Sequence, residues 1–168
     1  MLTVKDVTQF FGYPPQHPDF DRYLTSCGLS ERPVFEGNAY VSTDNPREGF
    51  TLVFEVKHGY EEYCGPAKEG GEMIFKKLQL YSGLHSRDRA YRRYAGDLPH
   101  GLRFECTPAE AKTLLGKPDY EAPPDSHTIL LMWNNKDGHD LSIVFLSDER
   151  GIRFIYVNAL RTVPVEWD

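Results

Sequence analysis

Cysteine is scarce in this chain. Cys27, Cys64 and Cys106 are odd in number, far apart and never arranged as Cys-x-x-Cys, which excludes the dense disulfide framework of a small secreted domain and gives no metal knuckle. All three are expected to be reduced thiols. Long apolar runs are also missing. The longest, Ile129 to Trp133, is far short of the ~20 residues that a spanning helix needs. The opening Met1-Leu-Thr-Val-Lys-Asp6 lacks the basic, apolar, small-residue order of a signal peptide, so the expected location is cytoplasmic, with no membrane partner. Excess positive charge is absent too: 19 basic against 25 acidic residues leave a net charge of -6. A general binder of nucleic acid shows the opposite balance, because its affinity comes largely from neutralising phosphates. What remains is 168 residues at 40% hydrophobic, enough for one globular domain or two small ones sharing a core.

A duplicated pattern stands out in this ordinary composition. Thr3, Asp6, Gly12 and Pro14 recur as Thr107, Glu110, Gly116 and Pro118, at a constant offset of 104 residues. Each set reads as a capping threonine, an acid three residues on to complete a capping box, an apolar helix, a glycine stop and a proline beyond it. Strand-like segments follow both helices. In the first half they are 39–41, 49–56 and 73–81, and in the second 128–133, 140–146 and 151–158. A second amphipathic helix is expected around Asp19–Leu24, and a short strand at 102–104. The predicted fold is therefore α+β, as two tandem helix-plus-antiparallel-sheet units over residues 1–83 and 102–168, with 84–101 as a linker.

Strand alternation assigns two faces to the sheet. Phe50, Leu52 and Phe54 share one face, as do Leu141, Ile143 and Phe145, and these are expected beneath the helices. The opposite face mixes apolar, aromatic and charged side chains, among them Phe75, Lys77 and Tyr81 or their neighbours. Such a face either binds a partner or packs between the units.

Convergent catalytic groups are not evident. His17, His58, His85, His100, His127 and His139 are scattered and read as solvated loop residues, with no metal-ligand spacing. No metal or other cofactor is expected. A Cys-His nucleophile pair, such as Cys64 with His58, would serve a thiol-dependent enzyme, since such partners meet in space and not in sequence. Tyr60, Glu61, Glu62 and Tyr63, in the long excursion 57–71, combine aromatic anchors with carboxylates suited to a basic cleft, or else form an exposed loop. Tyr91 and Tyr94 interleave with Arg87, Arg89, Arg92 and Arg93 in the linker, as a solvated face or a surface for an acidic partner. Trp133 reads as core or sheet edge, and Trp167 as a terminal packing residue.

The stretch Gly96-Asp-Leu-Pro-His-Gly-Leu-Arg-Phe104, followed by Thr107 to Pro118, Trp133 and the strand at Leu141–Phe145, resembles a set of bacterial proteins found beside polymorphic or contact-dependent toxins and regarded as immunity-protein candidates. The helix, Leu-Gly-x-Pro stop and sheet also resemble the β-lactamase inhibitor protein, which carries its unit in tandem, and the small lipoprotein of the outer-membrane barrel-assembly machine. The resemblance implies a non-enzymatic immunity protein that binds and neutralises a bacterial toxin stoichiometrically. A scaffold or assembly protein for another bacterial protein is the alternative, and a thiol-dependent enzyme a third reading. The expected partner is a cognate toxin domain or another bacterial protein, held by Tyr60, Glu61, Glu62, Tyr63, Phe75, Lys77, Tyr81, Tyr91 and Tyr94.

Overall fold

A computed structural model describes residues 1–163, so Trp167 lies outside the described residues. Seven strands form one antiparallel sheet: β1 (Tyr40–Asn45), β2 (Phe50–Val56), β3 (Met73–Tyr81), β4 (Tyr120–Glu121), β5 (Ile129–Lys136), β6 (His139–Phe145) and β7 (Ile152–Ala159). Their order across the sheet is β1-β2-β3-β7-β6-β5-β4. The strands of residues 1–83 fill one half and those after 101 the other, joined where the last strand of each half pairs, Gln79 opposite Tyr156. One sheet runs through the molecule, rather than two packed face to face.

Helices α1 (Val4–Val7), α2 (Pro18–Ser26) and α4 (Pro108–Leu115) cover one face; α3 is introduced below. Both capping threonines perform as the duplicated pattern predicts. Thr3 Oγ1 accepts from the Asp6 N–H and Thr107 Oγ1 from the Glu110 N–H, each at 3.2 Å. The first helix is shorter than expected. It tightens to a 3-10 turn at Thr8–Phe10 before Gly12, at φ +90°, turns the chain so that Phe11 packs on Phe75 at 4.7 Å between ring centroids. The alternation in β2 and β6 holds: Phe50, Leu52, Phe54 and Ile143 are fully buried, with Leu141 and Phe145 nearly so. Trp133 joins them, its indole N–H donating to the Gly116 carbonyl that ends α4, at 3.0 Å. One apolar core lies under both halves of the sheet.

Three segments differ from expectation. The excursion 57–71 holds a helix, α3 (Lys57–Cys64), whose backbone approaches β2 so closely that a Cβ at Gly59 would sit 2.7 Å from Glu55 Oε1. Residues 102–104 form no strand. Leu102 and Phe104 instead plug into the core, and the Phe104 carbonyl accepts a single ladder-like bond from the Ile152 N–H at 2.7 Å. The linker, finally, is packed. Asp88 makes a two-pronged ion pair with Arg153 of β7, at 2.8 and 3.0 Å, and Tyr94 is buried with its hydroxyl donating to the Leu2 carbonyl at 2.9 Å.

Candidate functional site

The sheet face turned away from α1, α2 and α4 is built by simple registry. Asp44, Thr51, Gln79, Tyr156, Ser142 and Met132 line up across six strands. Beside this row runs a second one, Ser42, Val53, Lys77, Asn158 and Asp140, and a third, Tyr81, Phe154, Val144 and Leu130, flanks it on the other side. The short polar groups Thr51, Gln79 and Ser142 are buried between taller neighbours. Those neighbours, Lys77, Phe154, Tyr156, Leu130 and Met132, are half-buried.

Aromatic and cationic groups interlock there. The Lys77 ammonium lies 4.6 Å from the centroid of the Tyr156 ring, Phe154 meets Tyr156 edge-on at 5.0 Å, and Tyr91 from the linker stacks on Tyr81 at 3.9 Å. Burial, then the like charge of Lys76, push the Lys77 ammonium below its ordinary pKa, with Glu55 opposing. Burial raises the Tyr156 phenol. A half-desolvated cation clamped on an aromatic ring is a low-entropy anchor for a partner surface.

The residues singled out in the sequence divide among three settings. Lys77, Tyr81 and Tyr91 come together on this face, although Tyr81 is covered by Tyr91. Tyr63 and Glu62 stand at its end, on α3. Arg161 lies over the Tyr63 ring at 4.7 Å and Lys76 at 5.9 Å, while Glu62 is exposed and Glu61 closes a turn by accepting from the Ala67 N–H at 3.0 Å. Phe75, Tyr60 and Tyr94 are core side chains, with burial raising the two phenols to about 12. Phe75 belongs to the opposite face because a bulge between β2 and β3 shifts the register near Phe54, which alternation alone does not reveal. Phe154 and Tyr156 were legible and missed: with Ile155 and Val157 buried, period two places them outside.

A second feature lies on the helical side. A cleft of about 870 Å³ is walled by α1, residues 95–100 and the start of β6. Its apolar walls are Val4, Leu98, Leu141 and Val157, and its polar ones include Thr3, Asp6, His100 and His139. His100 Nδ1 is 3.3 Å from an Asp137 carboxylate oxygen, and both residues hold left-handed backbone angles, φ 59° and 52°, a conformation costly for residues with a Cβ. His139 is a strand residue rather than a solvated loop one, half-buried with Phe11 edge-on at 5.5 Å. Burial chiefly, then His100, lower its pKa; Lys68 acts with them, Asp140 and Asp137 against. A base with a depressed folded pKa loses stability as pH falls, because the unfolded chain takes up the proton first. The melting temperature is therefore expected to drop below about pH 6.5, and His139→Gln to reduce that drop, as calorimetry at pH 7.5 and 5.5 will read; an unchanged drop refutes it.

Other chemistry is weakly supported by placement. Burial raises the Cys64 thiol, the reverse of what a thiolate nucleophile requires, and His58 is exposed on the same helix. Among the described residues no group of three His, Cys, Asp or Glu side chains is placed to hold a metal ion, and no helix is long and apolar enough to cross a membrane.

No family model matches the chain, and no curated protein does. Among solved structures it is similar to a DUF4309 family protein (YjgB) from Bacillus subtilis, at 14% identity and a TM-score of 0.42, over 83% of this chain and 76% of that one.

Proposed function

We propose that the chain is a non-catalytic binding protein of the immunity type, which neutralises a bacterial toxin by one-to-one association in the cytoplasm. The observation that carries this reading is the sheet face turned away from α1, α2 and α4, where partly exposed Lys77, Phe154 and Tyr156 on β3 and β7 share one surface with Leu130 and Met132 on β5, across the buried Ser142 and Val144 of β6. A central aromatic group with a polar surround matches the anatomy of an interface. The net charge of -6 favours steered encounter with a basic toxin domain. The 104-residue offset, the two matching threonine caps and the junction along the last strand of each half support the further reading of two tandem copies of one unit.

The test is co-expression with the toxic domains encoded in neighbouring reading frames. Growth should be rescued and a one-to-one complex recovered. Tyr156→Ala with Lys77→Glu should weaken that complex at least about tenfold while the melting temperature stays within a few degrees. No rescue by any neighbour, or rescue indifferent to both substitutions, overturns the reading.

A further inference from the structure

The two edges of the sheet are finished differently. At one edge, β4 is two residues long, with Pro118 before it and Pro123 and Pro124 after it. Shortness and proline are standard protection against strand addition, since proline offers no N–H. The opposite edge, β1, is six residues long, with no proline, lysine or bulge in it.

The hydrogen-bond phase of β1 fixes which groups face outward. The Val56 N–H donates to the Ala39 carbonyl at 2.9 Å, so Ala39 and Val56 form a hydrogen-bonded pair, and so in turn do Val41 and Thr43 with their partners on β2. Tyr40, Ser42 and Asp44 then direct their N–H and C=O groups away from the sheet, and none of these has a partner among the described residues. Their side chains are exposed as well, alternating with the half-buried Val41, Thr43 and Asn45.

The surroundings say what would add there. Tyr40, Val34 and Phe35 are about half-exposed, an unusual concentration of large apolar surface along one short stretch of chain. Charge in the same stretch is acidic: Glu31, Glu36 and Asp44 are exposed, and the lone cation between them, Arg32, is held by Asp21 at 2.7 Å. Arg47 stands in the turn beyond the strand. A second copy of this chain would bring these same acids to the seam, with Arg47 of the turn as its exposed cation.

We infer that β1 accepts an extended strand of a partner protein, a strand alternating basic and apolar residues, which extends the sheet by backbone hydrogen bonds to Tyr40, Ser42 and Asp44. This rests on the binding-protein reading and supplies its mode of attachment. Backbone pairing gives affinity, and the pockets for alternate side chains give selectivity.

The experiment uses the full chain, isotopically labelled, and a capped octapeptide alternating Lys and Val. Amide exchange at Tyr40, Ser42 and Asp44 should slow at least tenfold at saturating, submillimolar peptide, with Val41 and Thr43 little changed. The same peptide N-methylated at the pairing amides, and an Asp–Val octapeptide, should fail. Ser42→Pro, which removes an outward N–H, should abolish the protection; should that variant not fold, the N-methylated peptide tests the same backbone pairing from the other side. The inference is overturned by absence of protection up to millimolar peptide, by equal effects of the control peptides, or by concentration-dependent protection of the three amides without peptide, which would mean that a second copy is the occupant. These outcomes are independent of toxin rescue, so failure of either reading is recognisable on its own.

Discussion

Phe75→Ala should destabilise the protein by about 3–5 kcal/mol, a fall of roughly 10 °C in melting temperature for a domain of this size. The sequence pattern places Phe75 beside Lys77 and Tyr81 on a possible binding face. In the fold its ring is fully buried and touches Phe11, Phe20 and Phe54, with centroids 4.7, 5.3 and 5.4 Å away. Truncation removes the transfer free energy of the ring and leaves a cavity between rigid neighbours on α2, β2 and the N-terminal segment. Collapse is restricted, because the Phe75 backbone is itself clamped: its N–H donates to the Tyr13 carbonyl and its carbonyl accepts from the Gly12 N–H, at 2.9 and 3.0 Å. Thermal unfolding of the variant decides the matter. A loss under about 1 kcal/mol would mean that the aromatic cluster is loosely packed, contrary to its geometry.

Lys76→Met should cost about 3 kcal/mol, since removing one partner of a buried ion pair strands the other. Lys76 Nζ lies 2.6 Å from Glu55 Oε2, with the side chains 17% and 5% exposed. The same ammonium lies over the Tyr40 ring at 5.5 Å and the Tyr63 ring at 5.9 Å, so it also ties β1 and α3 to the end of the sheet. In Lys76→Met the Glu55 carboxylate keeps its burial and loses its cation. The double variant Lys76→Met with Glu55→Gln removes the stranded charge and should return to within about 1 kcal/mol of the parent. Denaturant titration of Lys76→Met, Glu55→Gln and the double variant reads the coupling directly. Equal losses in the single and double variants would show that the pair contributes through packing alone.

Local signals in the chain were strong where one residue and its neighbours suffice. Thr3 and Thr107 cap helices because a side-chain oxygen three residues before an acid meets an orphan N–H whatever the rest of the chain does. The strand at Met73–Tyr81 was legible as the counterpart of 151–158 in the duplicated pattern, and the faces of β2 and β6 from period two. Helix α3 was not, because Gly59 and a polar run argue for a loop. It forms because that glycine lets the backbone settle on Glu55. The candidate face is half legible: the sequence pattern marks Lys77, Tyr81 and Tyr91, does not single out Phe154 and Tyr156, and sets Phe75 on the wrong side of a bulge.

The order of residues along the chain was enough to establish the class of the protein: α+β, low in cysteine, acidic, with paired capping threonines, antiparallel strands and an apolar face for each. These are properties of short windows, in which dihedral preference, capping and alternation act over a few residues. Long-range packing had to settle that the two halves share one sheet through β3 and β7, that His100, Asp137 and His139 meet at one cleft, and that β4 is a guarded edge while β1 is left open. Each depends on residues tens of positions apart, and no local preference of the chain encodes which strand ends up beside which; burial of the common core does.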